Sequence, residues 1–225
     1  REGMLPPIGK AEPGLQQGSI HREGRLSMKY TLANEESRGL MRPLMPKPYP
    51  FCTDCGFPEP KPVNEREFRC ERCGYRHFIT PIPAAGAMIL DAQERLLVIR
   101  RAHEPGLGML GLPGGVIEPD ETGEEGAARE TREETGLNLP SEAFRYFVSL
   151  NNHYLYQGFV WPTIDLFFVA RVESFDGLQV DPAEVMEWMP MPLDEVPLEQ
   201  FAFGSNAEAV RRLRESLRQA SLTSK

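Results

Sequence analysis

An α/β fold with mixed strand pairing, preceded by a small cysteine-rich unit, is predicted from three features of the sequence. All four cysteines fall between residues 50 and 80. From residue 81 onward, short apolar runs of strand length recur. Two further segments there carry helix-capping signals, one in the middle and one at the end of the chain. These features divide the chain into segments 1–49, 50–80 and 81–225.

Residues 1–49 are poor in aromatic residues and rich in Gly, Pro, Ser, Arg and Glu. They show no sustained hydrophobic period, which predicts a flexible or loosely docked extension. No apolar run of the chain reaches the ~20 residues that a membrane helix needs, and no signal-peptide pattern opens it. We therefore expect a cytoplasmic protein without a membrane partner.

The cysteine-rich unit predicts a zinc ribbon. Two CxxC knuckles separated by fourteen residues contain all the cysteines: Cys52, Cys55, Cys70 and Cys73. Gly56 and Gly74 follow the knuckles and permit the tight turns that a tetrahedral zinc site requires. Two disulfides are the alternative, but the lack of a secretory signal favours zinc. Four thiolates close the site to water, so the zinc is expected to be structural. His77 is a possible but unneeded ligand, and a surface histidine is the expected alternative.

Two strands should open the main domain. Ala84–Leu90 and Arg95–Arg101 are short apolar runs, and the four residues between them form a hairpin-like turn. Arg100 and Arg101 end the second strand. One of them can reach a substrate phosphate, or both can lie at a solvated strand end.

A glycine-rich stretch, Gly106–Gly111, matches the letters of a dinucleotide-binding fingerprint. Pro113 and two further glycines follow it instead of a helix, so we interpret it as a loop that leads into a short strand, Leu112–Ile117.

A helix with well-marked ends follows. Thr122 and Glu125 form a capping box, and Gly136 stands where a left-handed C-terminal residue belongs. One face is suited to packing on a sheet because its residues are small: Ala127, Ala128, Thr131 and Thr135.

A neighbouring face of this helix concentrates negative charge, since three glutamates stand at positions i, i+3 and i+4: Glu130, Glu133 and Glu134. Such a face is either a solvated surface or a site for hard divalent cations, which prefer carboxylate oxygens. Arg129 can fix the orientation of the Glu130 carboxylate. The net charge of −8 is largely local, because residues 115–137 hold eight acidic residues and two arginines. No basic stripe suggests nucleic-acid binding.

The spacing of these residues resembles the signature of Nudix hydrolases. It runs from Gly115 through Glu121 and Arg129-Glu130 to Glu133-Glu134 and Gly136-Leu137. Thr131 departs from the aliphatic residue usual at its position. The resemblance implies a Nudix-type α/β/α sandwich with a mixed sheet.

The resemblance also implies roles for the signature residues. Mg²⁺ or Mn²⁺ would be held by the three glutamates and the Gly115 carbonyl, with Glu133 or Glu134 as the general base. Arg129 would orient the carboxylates and Glu121 would fix the loop. A glutamate at about the position of Glu184 often approaches the metals in the family, although a surface loop residue is an equal alternative here.

Two later strands, Phe144–Leu150 and Val160–Val172, flank an aromatic stretch that we interpret as a loop. Tyr154, Tyr156 and Trp161 can stack on a nucleobase there, or they can cover the core. The chain closes with a strand that begins near residue 185 and a helix over residues 205–220. Ser205 and Glu208 are expected to cap that helix, and its apolar stripe is Val210, Leu213 and Leu217.

Together these features imply a metal-dependent hydrolase that cleaves the diphosphate bond of a nucleoside diphosphate linked to another moiety. A zinc ribbon before such a domain resembles NADH pyrophosphatases. The Ser-Gln-Pro-Trp-Pro-Phe run of those enzymes is absent, so NADH, ADP-ribose and FAD are all candidate substrates. The alternative is a non-catalytic nucleotide sensor or RNA-linked regulator that uses the ribbon to bind nucleic acid. Such proteins usually lose signature carboxylates, which are all present here. Homodimers are common in the family.

Overall fold

The computed structural model describes residues 50–156 and 159–223. The extension predicted for residues 1–49 lies outside this part, and the boundaries at residues 49 and 80 stay predictions. The helices and strands of the described part are β1 (Lys61–Pro62), β2 (Glu67–Arg69), β3 (Arg76–Phe78), β4 (Ile82–Leu90), β5 (Arg95–Arg101), β6 (Leu110–Gly111), β7 (Gly114–Val116), α1 (Gly123–Thr135), β8 (Arg145–Tyr156), β9 (Phe159–Arg171), β10 (Val185–Pro192) and α2 (Gly204–Thr223).

The cysteine-rich unit is a small antiparallel sheet in the order β1-β2-β3. Gly56 and Gly74 have φ values of 70° and 78°, the left-handed conformation that side chains disfavour. Each glycine closes its knuckle with a backbone hydrogen bond. Gly56 donates its N–H to the Cys52 carbonyl oxygen and Gly74 to the Cys70 carbonyl oxygen, both at 2.9 Å. The predicted turn geometry is therefore confirmed.

The main sheet is mixed, as predicted. Its strands follow the order β10-β5-β4-β9-β8, with β6 paired to β5 and β7 paired to β4. The central pair, β4 and β9, is parallel from Ile82 opposite Thr163 to Leu90 opposite Arg171, and the other pairs are antiparallel. β5 has the predicted bounds, and β4 begins two residues earlier than predicted.

Helices cover both faces of this sheet, which makes an α/β/α sandwich. Successive side chains of a strand point to opposite faces. On β4, Ala87 and Ile89 belong to the core that contains Ala127 of α1. Met88 lies between them in sequence and packs into the other core, with Val210 of α2. Among the described residues, neither helix has the length and apolar character needed to cross a bilayer.

Two strand predictions need correction. The aromatic stretch interpreted as a loop belongs to a long hairpin, in which β8 and β9 pair from Arg145 opposite Val169 to Tyr156 opposite Phe159. Asn, Gly and Pro in this stretch resemble a loop locally, but pairing along the sheet edge overrides that preference. The strand predicted over Leu112–Ile117 is shorter, since only Gly114–Val116 (β7) is a strand, and it pairs with β4. The end of the predicted loop, Leu110–Gly111, forms the separate short strand β6, which pairs with β5.

The helix ends agree with the sequence at α1 and differ at α2. Thr122 and Glu125 form the predicted capping box, and Gly136 has a φ of 70°. At α2, the capping box predicted from Ser205 and Glu208 is wrong. The Ser205 hydroxyl donates to Asp165 at 2.6 Å, and the Glu208 carboxylate accepts from two arginines of its own helix.

The departure from the signature at Thr131 leaves a buried polar atom. The residue has no exposed surface, and its hydroxyl has no hydrogen-bond partner among the described residues. Thr135, one turn later and equally buried, donates its hydroxyl to the Thr131 carbonyl at 2.5 Å. The same helix therefore holds one satisfied and one unsatisfied threonine.

We expect Thr131→Val to raise the free energy of unfolding by about 1 kcal/mol, because the substitution removes an unpaired buried hydroxyl. Thr135→Val is the matched control and should lower it by about 1 kcal/mol, because it removes a hydrogen bond. Urea unfolding of both variants measures the difference. Destabilisation in both would show that the Thr131 hydroxyl has a partner in solution.

Candidate active site

A cavity of about 980 Å³ lies where α1 approaches the parallel centre of the sheet. The glutamates of α1, the backbone of β7, residues of β4 and β9, and the first turn of α2 all contribute to its wall. Its volume suits a nucleotide-sized ligand.

The three glutamates of the acidic face line this cavity: Glu130, Glu133 and Glu134. Glu134 is buried, and its Oε2 accepts the Gly114 N–H at 3.1 Å. Burial raises the pKa of Glu134 to about 8, and the neighbouring Glu130 carboxylate adds to the rise. Burial also raises the pKa of Glu130, against the lowering influence of Arg129. The acidic face is therefore a partly buried cluster of carboxylates, and the solvated-surface interpretation does not fit it.

The Arg129 guanidinium contacts three of the signature carboxylates, Glu121, Glu130 and, at 3.2 Å from Nη1, Glu133. Its Nε and Nη2 donate to the two oxygens of Glu121 at 2.7 and 3.0 Å, which is a bidentate pair. Its Nη1 donates to Glu130 Oε1 at 2.7 Å, and Nη2 also reaches the Val116 carbonyl at 3.0 Å. Glu121 in turn accepts the Glu118 N–H at 3.1 Å. This network joins the loop before α1 to the helix.

Gly115 is the point where β7 comes closest to these carboxylates. A Cβ added at this residue would lie 2.5 Å from Glu130 Oε1, so any side chain would have to displace that carboxylate. Glu184 also lines the cavity, and its Oε2 lies 2.5 Å from His103 Nε2. His103 was missed as a site residue, because a single histidine after a strand carries no motif.

Only some of the predicted substrate-binding residues line the cavity. Arg101, Tyr154 and Trp161 line the cavity. Arg100 does not, since alternation along β5 turns it to the other face, where it pairs with Glu187 at 3.1 Å. The side chain of Tyr156 lies outside the described residues.

Three residues of the cavity wall were not singled out from the sequence. Phe203 faces Tyr154 with ring centroids 5.6 Å apart, and Asn206 belongs to the first turn of α2. Asp165 is a single acid within an apolar strand, which is the one signal that could have drawn attention to it. The other two follow only from how α2 docks.

The four cysteines of the ribbon converge as predicted. Their Sγ atoms all lie within 4.8 Å of one another: Cys52, Cys55, Cys70 and Cys73. The separations of 3.7 Å and 3.6 Å across the two knuckles match the edge of a tetrahedron with Zn–S bonds of about 2.3 Å. The donor set therefore fits zinc. His77 lies against Tyr75 with ring centroids 4.8 Å apart and is buried, so the surface position expected for it is wrong.

Comparison with known families decides the fold family. Residues 80–213, more than half of the chain, match the NUDIX domain family. The chain belongs to the NUDIX family. The signature residues described above lie within the matched segment.

Similar proteins of known description come from several organisms. The NAD-capped RNA hydrolase NudC of Haemophilus influenzae strain PittEE is 29% identical over 166 residues, which cover 72% of this chain and 60% of that protein. An ADP-ribose pyrophosphatase of Methanocaldococcus jannaschii is 41% identical over 63 residues, 28% of this chain and 37% of that protein. This NUDIX chain thus spans about 60% of the length of the curated NudC relatives that it matches.

Solved structures support the same fold. A NUDIX hydrolase of Nitrosomonas europaea superposes with a TM-score of 0.57 at 23% identity, over 76% of this chain and 93% of that one. The NUDIX domain of Shewanella oneidensis NrtR, solved with ADP ribose, gives a TM-score of 0.52 at 24% identity, over 62% and 90% of the two chains.

The contact between Gly115 and Glu130 can be tested directly. We expect Gly115→Ala to weaken Mn²⁺ binding about 10-fold or more, because the added methyl group displaces the Glu130 carboxylate. Gly204→Ala is the control, since an added Cβ there meets no heavy atom within 4 Å. Titration of Mn²⁺ followed by electron paramagnetic resonance measures the affinity. Wild-type affinity in Gly115→Ala would contradict a role for this contact in the metal site.

Proposed function

We propose that this NUDIX protein is a metal-dependent hydrolase that cleaves the diphosphate bond of a nucleoside diphosphate linked to another moiety. The observation that carries the proposal is the convergence of three α1 glutamates in one cavity: Glu130, Glu133 and Glu134. The aromatic side chains of Tyr154, Trp161 and Phe203 line that same cavity. One cavity therefore offers carboxylates for cations and flat apolar surfaces for a base.

The donor set fits Mg²⁺ or Mn²⁺, which favour carboxylate and carbonyl oxygens. Burial is the main cause of the raised pKa values of Glu130 and Glu134, and neighbouring carboxylates add to it. A divalent cation would favour the charged form of both groups. Gly115 would add its carbonyl oxygen, and Glu184 would complete the site from another part of the cavity wall. When bound, such ions stabilise negative charge on phosphate oxygens and make water more acidic.

The protein residues would then divide the remaining work. Arg129 keeps Glu130 and Glu121 in fixed orientations through the bonds described above. Glu134 lies in the same cluster of carboxylates and, when ionised, can accept a proton from the attacking water. Glu133 is the alternative base, because its side chain is about half exposed and reaches solvent readily. Arg101 can pair with a phosphate at the cavity wall.

NADH, ADP-ribose and FAD are the proposed substrate candidates. NudC and the archaeal relative are described as acting on NAD-capped RNA and ADP-ribose, which supports a nucleotide with a diphosphate bridge. We would measure phosphate-bond turnover on these three compounds and on deoxynucleoside triphosphates, with Mg²⁺ and with Mn²⁺. Turnover on a dinucleotide is expected. Tight nucleotide or RNA binding with no turnover on any of them would favour the sensor alternative.

The assignment of the base makes a separate prediction. Glu133→Gln and Glu134→Gln should each lower kcat by about 100-fold or more while the fold persists, because each removes a carboxylate from the reacting centre. Glu124→Gln, in the first turn of the same helix and outside the cavity wall, is the control and should keep the wild-type rate. Steady-state kinetics and circular dichroism measure the two effects. Near-wild-type rates in both variants would exclude the proposed roles.

The ribbon is proposed to hold one structural Zn²⁺. We expect Cys70→Ser to remove the zinc while hydrolysis persists, since the residues that line the cavity all fall between Ile82 and Asn206. Asp54→Ser, at an exposed position within the first knuckle, should retain the metal. Metal analysis by mass spectrometry gives the zinc content per chain. A wild-type chain purified without zinc, and indifferent to added zinc, would contradict the ribbon assignment.

A homodimer and a cytoplasmic location stay predictions. Light scattering of the purified chain tests the first, and fractionation of cells that express it tests the second.

A further inference from the structure

One end of the cavity holds two polar side chains that diphosphate chemistry does not use. Asp165 of β9 is 8% exposed and Asn206 of α2 is 9% exposed, and both line the cavity. They are neighbours through Ser205, which precedes Asn206 and donates its hydroxyl to Asp165.

The Asp165 carboxylate is held entirely by neutral donors. Its Oδ1 accepts from the Thr163 hydroxyl at 2.8 Å, and its Oδ2 accepts from the Asn152 amide at 2.9 Å and the Ser205 hydroxyl at 2.6 Å. A carboxylate has about four acceptor positions, so these three bonds leave one on Oδ1. An ionised carboxylate cannot donate, so a ligand must bring a donor to it.

The Asn206 amide has no hydrogen-bond partner among the residues that the structure describes. The amide is not sealed off from solvent, so a ligand or a water molecule in the cavity can reach it. Asn206 therefore offers an acceptor oxygen and a donor nitrogen to the cavity.

Flat apolar surfaces stand beside these polar groups. The centroids of the Phe203 and Tyr154 rings lie 5.6 Å apart, and the ring planes make an angle of 36°. The Arg101 guanidinium carbon lies over the Phe203 ring, 5.1 Å from its centroid. Aromatic rings and a guanidinium plane are surfaces on which planar heterocycles stack. The ligand at this end is therefore expected to be flat.

We propose that this end of the cavity binds the edge of a planar heterocycle that carries an amino group next to an acceptor. Asp165 and Asn206 together present two acceptors and one donor. Adenine, cytosine and a ring carboxamide match this set, since one nitrogen supplies two N–H groups beside an acceptor atom. Hypoxanthine and a ring carboxylate place an oxygen where the amino group would be. The inference rests on the proposed function in that the ligand is taken to be a nucleotide.

Calorimetry with two pairs of mononucleotides tests the proposal. AMP and IMP differ by an amino-to-oxo change on a base. Nicotinamide mononucleotide and nicotinic acid mononucleotide differ by replacement of an amino group with an oxygen on a ring substituent, which also adds a negative charge. In one pair or both, the amino member should bind about 10-fold tighter or more, because the oxo member sets an oxygen against an acceptor. The pair that discriminates identifies the source of the amino group.

Asn206→Ala should reduce that preference to less than about 3-fold, while the melting temperature stays at or above that of the wild type, because the amide has no internal partner. Asp165→Asn should likewise lose the preference, since its amide can donate to an oxo group. Asn151→Ala, at an exposed position of β8, is the control and should keep it.

Three results would overturn the proposal: no discrimination within either pair, a preference that survives Asn206→Ala, or a loss in Asn206→Ala that comes with a lower melting temperature. These ligands have no phosphoanhydride bond, so their binding does not depend on turnover. A chain that shows the amino preference and hydrolyses no dinucleotide would refute the proposed function while supporting this subsite.

Discussion

A buried carboxylate next to a partly buried one is the constraint on which the site depends. Glu130 and Glu134 stand one helical turn apart, and burial makes the charged form of each more costly. Such a pair is tolerated only where surrounding groups hold it in place. The Gly114 N–H and the Arg129 guanidinium are the groups that do so here. Under the proposed function, a bound cation would offset this cost.

The rest of the domain positions these groups. α1 must lie close to β7 for the Gly114 N–H to reach Glu134, and the bare backbone of Gly115 permits that approach. Small side chains on the packing face of α1, such as Ala127, allow the helix to pack closely against the sheet. β4 pairs with both β7 and β9, so the carboxylate end and the aromatic end of the cavity are attached to one strand.

The cavity thus has two chemically distinct ends. Glutamates and Gly115 form one, and the other combines aromatic rings with the polar pair of Asp165 and Asn206. A ligand that joins an anionic bridge to a flat polar ring would use both. The ribbon lies earlier in the chain and supplies none of the residues that line the cavity, which is consistent with the structural role proposed for its zinc.

Local sequence determined the elements whose physics is local. The ends of α1, the alignment of its three glutamates and the two cysteine knuckles depend on residues within a few positions of one another, so capping rules, helical periodicity and ligand spacing were sufficient. Contacts between distant segments decided the rest. Pairing with β9 turned an apparent loop into the end of β8, and alternation in β5 sent Arg101 into the cavity and Arg100 away from it. Ser205 lost its expected capping role because Asp165, forty residues earlier, accepts its hydroxyl. These outcomes depend on how strands and helices pack across the sheet, and no short window of sequence contains that information.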